Sequence, residues 1–303
     1  MATPLHLSGV IVAAVTPLKP DDSIDVQAFP GLLTFLAERG CHGALLFGTT
    51  GEGPSFSYEE RLPALRAART VRQEHKDFFM LAGTGTPSLD ETVSLTRAAF
   101  DLGYEGVVVL PPYYFRKVSD EGLFAWFNQV LQRAVPSGGA LYGYHIPPNT
   151  GIPFSLDLLS RLKEAFPDRF AGLKDSSGDP EYARQLGKRF GRELQVFTGN
   201  DRLVSHALEQ SAAGCLTAGA NLFSPEVRQV WEAFQAGQVE IQAQAQERLN
   251  ALRLAAERHL PFPPLMKALL HQHFHFPAWT VRPPLLPLSP EEIDRAAAEL
   301  FTI

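Results

Sequence analysis

Eight short runs rich in β-branched and aromatic residues alternate with longer stretches whose apolar residues recur about every 3.6 positions. The runs lie at 10–15, 43–47, 78–82, 106–110, 140–146, 170–174, 195–198 and 214–217. The helical stretches lie at 26–39, 58–74, 89–102, 121–134, 156–166, 180–190, 202–209 and 225–236. Several open on recognisable caps, such as Ser57 before Tyr58-Glu59-Glu60, Ser119 with Gly122 close behind, and Ser224-Pro225-Glu226. Repeated βα units imply a parallel sheet, and eight of them predict a (β/α)8 TIM barrel, an α/β fold. A doubly wound open sheet is the alternative. After Gly237 the strand signals stop. A long polar helix is expected at 239–259, with Ile241, Ala245, Leu249 and Leu252 on one side, then helices at 263–274 and 291–301. Pro283-Pro284 and Pro287 mark an extended link before the last of these. The expected division is a barrel over 1–236 and a C-terminal helical extension over 237–303.

The composition excludes several classes of function. With 45% hydrophobic and 20% charged residues, the chain has the makings of an ordinary globular core. A net charge of −6 without a basic block lacks the broad footprint of a nucleic-acid binder. Cys41 and Cys215, with no Cys-x-x-Cys pair, give neither a disulfide framework nor a thiolate metal site, so a reducing cytoplasm is the expected compartment. The apolar run at 10–15 lacks a basic leader and leads into Thr16-Pro17, which suits a first strand better than a signal peptide. No stretch approaches the roughly 18 to 20 apolar residues that span a bilayer.

In a barrel of this kind, catalytic groups stand at the C-terminal ends of strands and on the loops after them. That filter selects Thr16, the loop Gly48-Thr49-Thr50-Gly51-Glu52-Gly53, Pro111-Pro112-Tyr113-Tyr114, Tyr144, Lys174, Gly199-Asn200-Asp201 and Leu216-Thr217. Lys174 ends the apolar run Phe170-Ala171-Gly172-Leu173 and should sit beside Tyr144 on the adjacent strand, about 4.8 Å away between axes. An amine attacks carbon only when neutral, and a desolvated barrel interior favours that form, so imine chemistry with a carbonyl compound follows. The blander reading has Lys174 reaching out to solvent or pairing with Asp175; strand alternation argues against it, since Asp175 should face the other way.

The glycine-rich turn at 48–53 can offer backbone N–H groups and threonine hydroxyls to a carboxylate. It has neither the Lys-Ser/Thr ending of a nucleotide-binding loop nor a dinucleotide fingerprint. Glu52 is expected to fix that loop by hydrogen bonding, and His145 to point into the helix layer behind Tyr144. Tyr113-Tyr114 suits a core or interface anchor, or a second tyrosine for passing a proton to solvent. His271, His273 and His275 invite a metal reading, but without an accompanying Glu motif packing is the better one.

Three ordered segments resemble the signatures of the dihydrodipicolinate synthase/N-acetylneuraminate lyase family. They are Gly48-Thr49-Thr50-Gly51-Glu52, Tyr144-His145-Ile146-Pro147-Pro148-Asn149-Thr150-Gly151 and Gly172-Leu173-Lys174-Asp175-Ser176-Ser177-Gly178-Asp179. The likeness runs from the first strand to Arg282-Pro283-Pro284-Leu285. It implies a barrel with a helical extension, assembled as a homotetramer of two tight dimers, and class I aldolase chemistry needing no metal or other cofactor. Lys174 would attack the keto carbon of pyruvate or another 2-oxo acid, and Tyr144 would shuttle protons. Thr49 would relay them, and Tyr114 would complete the relay from a neighbouring subunit. The substrate carboxylate would rest on Thr49 and Thr50, with Gly199 and Leu216 lining the pocket floor.

One departure bears on substrate. Synthases of the lysine precursor usually carry an arginine before Thr-Gly, where this chain has Asn149. An amide cannot form a bidentate ion pair with a carboxylate. Asn149 and Ser176 therefore favour a hydroxylated or small aldehyde portion, as in aldolases of 2-keto-3-deoxy sugar acids or 4-hydroxy-2-oxoglutarate. Condensation of pyruvate with aspartate semialdehyde is the alternative, and a catalytically silent 2-oxo-acid binder is a reading of another class. His145 stands where the family usually has asparagine.

Overall fold

The described part of the computed structural model, residues 6–303, contains eight strands. They are β1 (Gly9–Ala13), β2 (Gly43–Leu46), β3 (Phe79–Gly83), β4 (Gly106–Val109), β5 (Ala140–His145), β6 (Phe170–Asp175), β7 (Gln195–Thr198) and β8 (Gly214–Thr217). Every neighbouring pair is parallel, and β1 also pairs with β8, from Gly9↔Gly214 to Val12↔Thr217, so the sheet closes on itself. Closure rules out the doubly wound open sheet.

Almost every strand residue is buried because one face packs inside the barrel and the other under the helices, which is why these strands read as continuous apolar runs. Along β1 the alternation is plain: Ile11 and Ala13 belong to the interior cluster with Leu45, Leu81, Tyr142 and Phe197, whereas Val10 and Val12 join the larger layer beneath the helices.

β6 breaks that alternation at one place. Leu141 pairs with Phe170 and Tyr142 with Gly172, leaving Ala171 as an extra residue between two successive rungs. Ala171 lies in the interior cluster, yet Leu173 packs outside, so the bulge shifts the parity of the strand and turns Lys174 inward. Gly172 makes the bulge possible, because a Cβ there would sit 1.9 Å from the backbone oxygen of Gln195.

The helices follow the expected plan with local adjustments. Ser57 forms a full capping box with Glu60, and the stretch 58–74 divides into Tyr58–Ala68 and a 3-10 segment at Arg69–Gln73. The helix expected at 225–236 begins earlier, at Ala220, and kinks at Phe223; Pro225 falls in the turn after the kink, where its missing N–H costs little. A short helix at Pro147–Thr150, opened by two prolines, follows β5 and carries Asn149 to the barrel mouth.

Beyond β8 the chain is helical at Val239–Ala256, Phe262–Phe274 and Pro290–Leu300. Leu249, Leu265 and Leu300 from these helices belong to the same buried cluster as the outer faces of the strands. Cys41 and Cys215 are free and buried. No helix among the described residues is long and apolar enough to cross a membrane.

Candidate active site

Tyr144 and Lys174 are register partners on β5 and β6, and both are only 4% exposed. Lys174 Nζ lies 4.2 Å from the centroid of the Tyr144 ring. Lys174 forms no ion pair among the described residues. Asp175 lies on the other face of β6, where its carboxylate accepts a hydrogen bond from the Ser177 N–H at 3.0 Å. The amine therefore stands in the interior without a counter-carboxylate.

The Tyr144 hydroxyl is 3.2 Å from Thr49 Oγ1. Burial by itself would push this phenol up, but the Lys174 ammonium and hydrogen bonds with Thr49, Lys174 and Ser176 outweigh it and hold Tyr144 below its ordinary value. A phenol so placed can give a proton to, and take one from, an oxygen bound at the amine.

The turn after β2 is built for close approach. Phe47 and Glu52 both adopt left-handed backbone conformations, at φ 55° and 54°. Gly53 N–H donates to the Gly48 carbonyl at 3.0 Å, and Thr16 Oγ1 donates to the Gly51 carbonyl at 2.6 Å. Glu52 points away from the mouth into the core. Its carboxylate accepts from Lys267 Nζ at 2.5 Å and from the Arg282 N–H at 2.9 Å. Lys267 also donates to the Thr280 carbonyl at 2.7 Å. Its burial lowers the Lys267 pKa, and Glu52 offsets part of that penalty. Glu52 thus fixes its loop as expected, through partners on the C-terminal extension that motif reading did not single out.

These elements surround a cavity of about 500 Å³ at the C-terminal end of the barrel. Lys174, Tyr144, Thr49 and Thr50 line it, as do Asn149 and Ser176, with Gly199 and Leu216 from the last two strand ends. Of the strand-end candidates, Thr16, Tyr113, Asp201 and Thr217 do not line the cavity, and of the residues to which the family resemblance gives a part, every one is brought together except Tyr114. That ring is 76% exposed on the loop after β4, packed edge-on against Phe115, and does not line the cavity of its own chain.

Another part of the wall comes from the extension, through Arg253, Leu260, Phe262 and Pro263. Sequence reasoning missed this contribution, since the strand-end filter looks only at the barrel's own loops. The available signal was Arg253 paired with Glu257 four residues on, in a helix whose apolar side was already visible.

His145 faces the helix layer. Its Nδ1 accepts from the Phe154 N–H at 2.9 Å, its ring stacks on Tyr182 at 4.4 Å, and burial pushes its pKa down to about 4. His273 stacks on Phe301, and His271 Nδ1 bonds the Phe276 carbonyl; no metal-sized group of ligating side chains exists among the described residues.

A barrel carrying a buried lysine without a carboxylate partner, beside a tyrosine and a threonine turn, is matched by relatives over nearly its whole length. This chain belongs to the dihydrodipicolinate synthetase family. Residues 6–302 match that family. An uncharacterized DapA-like lyase of Chloroflexus aurantiacus is 41% identical over 295 residues, covering 96% of each chain. A 4-hydroxy-tetrahydrodipicolinate synthase of Synechococcus sp. strain CC9605 is 32% identical, covering 95% of this chain and 92% of the relative. Among solved structures, dihydrodipicolinate synthase DapA-2 of Bacillus anthracis superposes with a TM-score of 0.89 at 26% identity, covering 98% of both chains. The fold is shared as well by YagE of E. coli K12, solved in complex with pyruvate, with a TM-score of 0.90 at 24% identity and coverage of 97% and 98%. As a member of this family the protein is a carbon–carbon lyase of the imine-forming class I aldolase group.

Proposed function

We propose that the protein cleaves or forms 2-oxo-4-hydroxy acids through an imine on Lys174. The observation that carries this reading is the Lys174 amine, buried at the cavity wall without a carboxylate partner and 4.2 Å from the Tyr144 ring. Nζ attacks the keto carbon C2, Tyr144 supplies the proton with which the C2 oxygen leaves as water, and a protonated imine results. The imine nitrogen is the electron sink. When the C3–C4 bond breaks, its electron pair becomes the C2=C3 enamine, the C4 hydroxyl proton passes to the Tyr144 oxygen, and C4 departs as an aldehyde. Protonation of C3 makes the methyl group of pyruvate, and water then hydrolyses the imine.

In the same reading the substrate carboxylate sits on the Thr49–Thr50 turn, and Thr49, 3.2 Å from the Tyr144 hydroxyl, takes the proton onward. Tyr114 completes the relay from a second copy of the chain. Its exposure beside the equally open Phe115 suits a side chain covered by assembly, and the proposed assembly is a homotetramer working in the cytoplasm. The barrel over 1–236 and the extension over 237–303 act as one catalytic unit, since the extension supplies wall residues and the partners of Glu52.

The synthase reading is kept alive by the names of several relatives at 29–32% identity. Asn149 weighs against it, because the position before Thr-Gly, where those synthases usually carry an arginine, here holds a neutral amide that cannot form a bidentate pair with the semialdehyde carboxylate. A silent binder would have no need of Lys174, Tyr144 and Thr49 together. The test is a panel assayed with purified enzyme: pyruvate release from 2-keto-3-deoxygluconate and 4-hydroxy-2-oxoglutarate, against condensation of pyruvate with aspartate semialdehyde. Pyruvate release well above the condensation rate is expected. Strong condensation with weak release would overturn the choice of substrate.

A further inference from the structure

We propose that Arg253, on the part of the cavity wall supplied by the extension, is the specificity-determining residue that takes a terminal carboxylate of the substrate. The inference rests on the aldolase reading above and narrows its substrate to 2-oxo-4-hydroxy dicarboxylic acids. Among the described residues, Lys174 and Arg253 are the only charged side chains in the cavity wall, and no carboxylate lines it. The two cations come from different parts of the chain, one from the end of β6 and the other from helix Val239–Ala256 of the extension.

Arg253 is held like a ligand group. Its Nη1 donates to Asp201 Oδ2 at 2.8 Å, its Nε to Glu257 Oε1 at 2.8 Å, and its guanidinium carbon lies 4.5 Å from the Phe262 ring centroid. Asp201, 1% exposed, is itself fixed through its other oxygen by Thr217 Oγ1 at 2.6 Å, at the end of β8. Nη2 makes no hydrogen bond with any described residue, although the side chain is only 13% exposed. A guanidinium fixed at two of its nitrogens and stacked on a ring has lost its rotamer freedom before any substrate arrives, so a bond from Nη2 costs little further ordering. Asp201 and Glu257 offset the long-range charge of Arg253. Recognition therefore depends on the short charge-assisted bond from Nη2, not on the field in the cavity.

An arginine serving only to tie the helix to the barrel would leave the enzyme indifferent to the end group of the substrate. That difference is measurable without altering the protein. Wild-type kcat/KM is compared for 4-hydroxy-2-oxoglutarate, 4-hydroxy-2-oxopentanoate and 2-keto-3-deoxygluconate, which end in a carboxylate, a methyl and a polyol. The carboxylate should exceed the methyl by about ten- to a hundredfold, the range of one charge-assisted hydrogen bond, and should also exceed the polyol. Arg253→Lys, which keeps a cation for Asp201 but loses the planar fork, should bring the carboxylate-to-methyl ratio toward one. A wild-type ratio near one, a preference for the polyol, or an undiminished ratio in the lysine variant would overturn the proposal. Borohydride trapping of pyruvate on Lys174 separates the two failures: an adduct with no end-group preference rejects only the role of Arg253, whereas the absence of an adduct rejects the aldolase reading beneath it.

Discussion

Replacing Tyr144 with phenylalanine removes one oxygen and leaves nearly everything else in place. The ring still packs in the barrel interior and still faces Lys174 Nζ, since the 4.2 Å contact is to the ring face. Thr49, exposed at the cavity mouth, keeps access to water, so no buried donor is orphaned there. Lys174 and Ser176, its other partners, line the cavity and can exchange the lost bonds for water, so the net cost to folding stays near that of one ordinary hydrogen bond, about 1 kcal/mol. The cost to catalysis is larger, because the hydroxyl is the group within reach of both the amine and the Thr49 relay. Loss of a positioned acid–base group lowers turnover by about 10² to 10⁴, or roughly 3 to 5 kcal/mol of barrier. The assay pairs steady-state pyruvate release with a urea denaturation curve on the same preparation. A variant as stable as wild type within about 1 kcal/mol and slower by two to four orders of magnitude is expected. Turnover within a few-fold of wild type would refute the proton-shuttle role.

Other perturbations probe the scaffold around the site. Burial pushes the Asp175 carboxyl from 3.8 up to about 6, so its contribution to stability is full below pH 4 and is lost as pH rises through about 6, a change of about 3 kcal/mol. Asp175→Asn, which can still accept from the Ser177 N–H, should match wild type in urea stability near pH 3.5 and exceed it at pH 8; an equal difference at both pH values would contradict this. Lys267→Met should cost about 3 to 5 kcal/mol by leaving the buried Glu52 carboxylate without its ammonium, and adding Glu52→Gln should recover much of the loss. A single variant within 1 kcal/mol of wild type would show that the pair is dispensable. Gly172→Ala forces a methyl against the Gln195 carbonyl and should both destabilise the protein by at least about 1 to 3 kcal/mol and abolish imine formation, as Lys174 loses its inward aim. A stable, active alanine variant would count against the bulge as the device that orients the lysine.

The barrel was legible because its strands are buried on both faces and so stand out as unbroken apolar runs between amphipathic helices. Lys174, Tyr144 and the threonine turn were legible for a related reason: each sits where a strand ends, and position along a βα unit fixes which end of the barrel a residue occupies. The bulge at Ala171 was not legible. Simple alternation from Ala171 would have turned Lys174 outward, and only the pairing of β6 with β5 reveals the extra residue. The Glu52–Lys267 pair spans 215 positions, and no local period encodes such a partner. Arg253 was missed on similar grounds, since its helix announces an apolar side while its place in the wall depends on how the extension packs. Tyr114 is exposed and does not line the cavity of its own chain, and the role proposed for it needs a second copy of the chain beside it.

The chemistry of one amine, that of Lys174, decides whether the proposed reaction can run. Incubation of the enzyme with pyruvate and borohydride, followed by proteolysis and mass spectrometry, reads that chemistry directly. A reduced pyruvyl adduct on the peptide containing Lys174, absent without pyruvate and absent in Lys174→Ala, is the predicted result. No adduct, or one that maps to another lysine, would contradict it.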